Sequence, residues 1–146
     1  MKKTRSNKNR RGFTLIEVML VLVIISTIAG LSVVAVIQTQ KRAYMRAAEA
    51  KISALDEPLK MYALDVGDFP MTEDGLDALY QCPSSVDDPS KWGGKYIEEP
   101  IALDPWGMPY QYEYPGSNSP DTYDLWSFGP DKINGTEDDI TSWIQQ

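Results

Sequence analysis

Hydrophobic and polar positions follow three rhythms along the 146-residue chain. From Val18 to Ile37 the residues are apolar except for Ser26, Thr27, Gly30 and Ser32, and no charge returns until Lys41. A helix of that length covers roughly 30 Å, the hydrocarbon thickness of a bilayer. Beyond Lys41 the apolar positions thin to Met45, Ala48, Ile52, Leu55, Leu59, Tyr62 and Val66, spaced by three and four. That spacing lays one stripe along an amphipathic helix, with Arg46, Glu49, Lys51, Asp56 and Lys60 on its other faces. No Pro or Gly interrupts the passage around Lys41. The pattern predicts one helix from Phe13 to near Gly67, roughly 80 Å long at the standard rise. Pro58 removes a backbone donor, which predicts a bend near Leu55.

The third rhythm has period two. Tyr110-Gln111-Tyr112-Glu113-Tyr114 and Thr122-Tyr123-Asp124-Leu125-Trp126-Ser127-Phe128 alternate as strands do, and Pro115 to Pro120 is rich in turn formers. An antiparallel hairpin with an extended loop is predicted, its aromatic stripe read as core in preference to a carbohydrate-binding platform. Between helix and hairpin, Asp68 to Thr72 reads as a turn. Thr72 is the predicted N-cap of a short helix bearing Leu76, Leu79 and Tyr80. Pro83 to Pro105, with Trp92, Tyr96 and Ile97, reads as ordered loop, and Cys82 as a small, partly buried residue.

Charge adds a direction to this pattern. Six of the 14 basic residues (Lys2, Lys3, Arg5, Lys8, Arg10, Arg11) precede Gly12, where no acid occurs, and the remaining eight face all 21 acids. A basic arm before an apolar run orients the N-terminus to the cytoplasm, with everything after residue 40 outside it. The run is too long for a cleavable secretory signal, and no A-x-A site comes directly after it. The acidic body repels phosphate backbones, which argues against nucleic-acid binding. With no His and one Cys, the chain lacks Ser/His/Asp and Cys/His triads, imidazole or thiolate zinc sites and any internal disulfide.

Glu17 is out of place at the lip of a membrane helix, where a carboxylate needs hydration or a cationic partner. Cleavage after Gly12 would create an α-amine close by. Gly12-Phe13-Thr14-Leu15-Ile16-Glu17, preceded by Arg10-Arg11, resembles the class III leader junction of type IV pilins and type II secretion pseudopilins. The resemblance implies cytoplasmic-face cleavage between Gly12 and Phe13 by a prepilin peptidase, N-methylation of Phe13, and retention of the apolar helix. Glu17 would then pair with the N-terminal amine of a neighbouring subunit during assembly. The family commonly carries a Pro in the membrane half, where this chain reads Ser32-Val33-Val34-Ala35.

The last informative stretch is Phe128 to Ile140, with four acids in nine residues from Asp131 to Asp139. On composition alone it reads as a solvated acidic turn in preference to a loop tied down by a divalent ion, for which Ca²⁺ suits better than Mg²⁺. It lacks the EF-hand spacing. Asp104-Pro105-Trp106-Gly107-Met108-Pro109-Tyr110, Ser127-Phe128-Gly129-Pro130-Asp131, and Asp138-Asp139-Ile140 with Trp143 are similar to the major pseudopilin family of type II secretion. That likeness implies a calcium site built from Asp131, Asp138 and Asp139, the Phe128 backbone carbonyl and a main-chain ligand near Thr136. Asn134-Gly135-Thr136 has the form of a glycosylation sequon and reads as coincidental.

The resemblance thus implies an α+β, pilin-like fold: a long N-terminal helix, half membrane and half amphipathic, packed on a small antiparallel sheet with a C-terminal calcium-binding loop. Residues 1–12 would be a cleaved leader, 13–40 the transmembrane and filament-core helix, and 41–146 the periplasmic head. The implied role is that of a non-enzymatic subunit, polymerising from the inner membrane into a periplasmic filament that helps to export folded proteins. Its implied partners are copies of itself, minor pseudopilins, the prepilin peptidase, and the inner-membrane assembly platform with its ATPase. The rival readings are a type IV pilin of an adhesion, motility or uptake fibre, and a membrane-anchored metal-dependent binding protein.

Overall fold

The computed structural model describes residues 12–143, except for the side chains of residues 30–35. The basic arm up to Arg11 lies outside the described residues, as do the side chains of Gly30 and Ser32. The chain divides into two compact units, Met1–Gln40 and Lys41–Gln146.

In the first unit, helix α1 (Leu15–Val66) begins. Thr14 caps it: its carbonyl and its hydroxyl oxygen accept from Glu17 N at 3.1 and 3.4 Å. Glu17 sits three residues on, the spacing of a capping box, and its charge suits the positive end of the helix dipole. The two described polar side chains within the apolar run, Ser26 and Thr27, are satisfied inside the helix. Ser26 Oγ donates to Leu22 O at 2.6 Å, and Thr27 Oγ1 lies 2.9 and 2.8 Å from Val23 O and Ile24 O. Among the described residues no helix is long and apolar enough to cross a membrane, a statement that does not extend to the side chains of residues 30–35 inside the expected span.

In the second unit, the spacing of three and four becomes a core. Ala48, Ile52, Leu55, Leu59 and Tyr62 on α1 are buried together with Ala78, Leu79, Tyr123, Leu125 and Ile140, and Met45 and Val66 pack at the margins. Each fully buried Leu here contributes about 1.5–3 kcal/mol. The helix continues through Pro58, and the carbonyl that Pro58 leaves without a donor belongs to exposed Ala54.

Strands β1 (Gln111–Glu113), β2 (Asp124–Ser127) and β3 (Ile140–Thr141) form an antiparallel sheet with β2 in the centre. Gln111 faces Trp126, and Ser127 faces Ile140. The expected hairpin is therefore present, with shorter strands, and β3 is an addition: two residues are too few to display alternation. The fold is α+β, a long helix against a small antiparallel sheet.

Two local expectations fail. The short helix is a 3₁₀ turn, Gly75–Leu79, whose N-cap is Asp74, without a side-chain cap. Thr72 instead donates to Tyr114 O and accepts from Tyr114 N, both at 2.9 Å, so a distant strand end takes the hydroxyl that local sequence assigned to a cap. Cys82 is exposed, because the chain turns outward at Cys82-Pro83 once Leu79 is buried.

Aromatic hydroxyls finish the head. Tyr123 OH donates to Asp56 Oδ1 at 2.8 Å, and Tyr112 OH donates to Pro70 O at 2.8 Å. Lys60, 2.7 Å from Asp56, holds that carboxyl below its ordinary value, with Tyr123 acting in the same direction. Burial raises the hydroxyls of Tyr112 and Tyr123 and pushes Tyr62 up to about 12.

Candidate functional site

The residues singled out by the sequence fall in two regions. At the start of α1, Gly12 and Phe13 precede the cap as exposed, non-helical residues, with Phe13 at 83% exposure. Leu15, Ile16, Met19, Leu20, Leu22, Val23, Ile25 and Ile28 are all exposed as well. Apolar area on this scale is stable only against lipid or other apolar surface. Glu17, the only charged residue between Gly12 and Gln40, lies exposed within it. Thr14 was missed as a functional residue; the Thr-x-x-Glu spacing was its signal.

The second region is the acidic loop after β2, held by a residue that the sequence offered only as part of a motif. Asp104 is 4% exposed, and its Oδ1 accepts from Trp106 N at 3.0 Å and Met108 N at 2.7 Å. Its Oδ2 accepts from Ser127 Oγ at 2.5 Å, and Ser127 Oγ in turn accepts from Gly129 N at 3.2 Å. The Asp-Pro-Trp-Gly turn and the beginning of the loop are thereby tied to β2. Gly129 has φ +68°, and a Cβ there would stand 2.1 Å from the Asp138 carbonyl oxygen. The two ends of the loop therefore touch, and only glycine permits that contact.

Within the loop the expected residues separate into two groups. Asp138 and Asp139 both face Thr136, whose hydroxyl lies 3.1 Å from Asp138 Oδ1 and 3.4 Å from Asp139 Oδ1. Asp139 Oδ2 also accepts from Gly135 N at 2.7 Å, and the Thr136 carbonyl accepts from Asp139 N at 3.3 Å. Asp131 accepts from Ile133 N at 2.9 Å, a bond within its own turn of the loop. Phe128 is half-buried at the loop entrance. Trp126 Nε1 donates to Asn134 Oδ1 at 3.0 Å, and the Trp126 ring meets Trp143 edge to face at 5.7 Å. The loop's donors are carboxylate, hydroxyl and carbonyl oxygens, the chemistry that suits Ca²⁺. Among the described residues no three His, Cys, Asp or Glu side chains gather into a metal-holding group.

Comparison with known proteins supplies what the geometry alone does not. Residues 35–143 match the family described as Type II secretion system (T2SS), protein G, and residues 7–33 match the prokaryotic N-terminal methylation motif. The type II secretion system core protein G of Pseudomonas aeruginosa is 38% identical over 139 residues, covering 93% of this chain and 96% of that one. Its counterpart from Aeromonas hydrophila is 40% identical over 137 residues, with 93% and 94% covered. The crystal structure of the major pseudopilin from the type 2 secretion system of enterohaemorrhagic Escherichia coli is similar with a TM-score of 0.62 and 36% identity. It covers 73% of this chain and 92% of that one. The sequence likeness thus extends over nearly the whole length of these relatives. The chain belongs to the type II secretion system protein G family.

Proposed function

We propose that this chain is the major structural subunit of a type II secretion pseudopilus, with no catalytic activity of its own. It is made with a basic leader, cleaved between Gly12 and Phe13 by a prepilin peptidase and N-methylated at Phe13. It waits in the inner membrane with the head in the periplasm. Assembly moves the apolar part of α1 from lipid into a bundle of identical helices, and the heads form the shell. The inner-membrane platform, its ATPase and the minor pseudopilins are the remaining partners.

The observation that carries this reading is the exposed apolar surface around one charged residue, Glu17. A solitary carboxylate entering an apolar bundle costs several kcal/mol unless a cation meets it. The α-amine released at Phe13 of a neighbouring copy is such a cation, so pairing sets the axial step between subunits while removing both charges. The match to the methylation motif over residues 7–33 supports processing at this junction.

For the head, the reading includes a Ca²⁺ ion held by Asp131, Asp138 and Asp139 with the carbonyls of Phe128 and Thr136. The oxygen-only donors and the contact between the loop ends at Gly129 and Asp138 support it. When bound, the ion neutralises crowded carboxylates and substitutes for a disulfide in fastening the loop.

Mass spectrometry of the mature N-terminus in cells with the secretion machinery tests the reading. A chain beginning at N-methylated Phe13 is expected; retention of Met1 to Gly12 would overturn it.

A further inference from the structure

Leu125 fixes the direction in which the backbone of β1 faces. Its carbonyl accepts from Ser142 N at 2.8 Å and its N–H donates to Ser142 Oγ at 3.0 Å, so both groups turn toward β3. Tyr112 stands opposite Leu125 in the register, a non-hydrogen-bonded pair, and its N–H and carbonyl therefore point away from the sheet. Tyr114, two residues on, has the same parity, and Thr72 Oγ1 meets both of its outward groups at 2.9 Å. At Tyr112 no group of the described residues does so.

This open part of the edge borders a groove of about 380 Å³, lined also by Glu73, Leu76, Asp77 and exposed Leu103. Glu73 and Asp77 are exposed, and no Lys or Arg is among the lining residues. An unpaired strand edge is a template for an extended chain, and carboxylates beside it favour one with basic side chains. The head's own strands do not answer that description, since β1, β2 and β3 contain no Lys or Arg.

We infer that the outer edge of β1 receives an extended, basic segment of a different polypeptide, which adds to the sheet as a fourth strand. The Thr72 hydroxyl stops the pairing at Tyr114, so the added strand is held over a short stretch about Tyr112. Sheet and groove lie wholly within the unit Lys41–Gln146, so this docking is independent of filament assembly.

The full chain in detergent is titrated with a fluorescein-labelled decapeptide of alternating lysine and threonine, followed by anisotropy, and exchange of the Tyr112 amide hydrogen is read by NMR. Saturable binding is expected. At nine-tenths saturation the exchange should slow about tenfold, because only the unoccupied tenth of the chains exchanges. Glu73→Gln together with Asp77→Asn should weaken binding about threefold or more at low salt. The same peptide methylated at every backbone nitrogen keeps its charge, donates no strand hydrogen bond and should fail to bind. Absence of binding, equal binding of the methylated peptide or of a glutamate-threonine peptide, unchanged binding by the double variant, or saturation without slower exchange at Tyr112 overturns the proposal. So does protection of Tyr112 that rises with chain concentration in the absence of peptide, which would make a second copy the occupant. The peptide comparisons need no variant, so they decide the matter even if the double substitution disturbs the head.

Discussion

Ser127 donates its hydroxyl to the Asp104 carboxylate at 2.5 Å in the buried interior of the head, joining the central strand to the turn at Trp106. Replacing Ser127 by Ala leaves Asp104 Oδ2 without that donor and removes the acceptor of Gly129 N. The expected loss is about 1–3 kcal/mol, the cost of leaving a buried polar group unsatisfied. Urea unfolding of the full chain in detergent, followed by tryptophan fluorescence, reads it directly.

Gly129→Ala meets two penalties together, a left-handed backbone and a clash with the Asp138 carbonyl. It should destabilise the head by about 1–3 kcal/mol or open the loop. Gly107→Ala makes the comparison informative, since Gly107 has φ +84° with open space around its Cβ position. Gly107→Ala should therefore cost measurably less. Equal losses would mean that the contact between the loop ends contributes nothing.

The buried tyrosines give the head an alkaline limit. Burial raises the Tyr62 hydroxyl from 10.0 to about 12, and burial moves Tyr112 and Tyr123 in the same direction. Folding therefore favours the protonated phenols. Their contribution is complete below pH 10.0, the ordinary value, and declines as the pH rises from there toward about 12. The unfolding midpoint in urea should fall across that window. A midpoint that stays flat while tyrosinate absorbance appears would show that these hydroxyls are accessible in the folded head.

Calcium removal tests the acidic loop. Chelation should lower the melting temperature of the full chain, and Asp131→Asn should reproduce that drop and abolish the response to added calcium. An identical melting temperature with and without calcium would remove the metal from the account.

Much of this architecture was legible because one face of a helix must be buried. The spacing from Met45 to Val66 announces a stripe, and Ala48, Leu55 and Leu59 are indeed sealed. The Tyr110 and Thr122 segments likewise betray their pairing through alternation. What escaped the sequence is long-range polar bonding. Thr72 looks like a local cap and instead serves Tyr114, 42 residues away. Asp104 and Asp124 are buried, Asp124 accepting from Asn118 N at 2.7 Å and from Asn118 Nδ2 at 2.9 Å. Strand β3 is too short to carry a period. At the sites, the leader junction and the acidic loop were readable as motifs, whereas the division of the loop carboxylates between Thr136 and Ile133 depends on backbone turns that composition does not specify.

The central claim is that identical neighbours shelter the apolar part of α1 through Glu17. Electron microscopy of the processed chain, co-expressed with its secretion machinery, tests this most directly when wild type is set beside Glu17→Ala. The account predicts filaments from the wild type and none from Glu17→Ala, with both chains inserted in the membrane at equal levels. Filaments of normal length and number from Glu17→Ala, or a wild-type chain that stays monomeric, would contradict it.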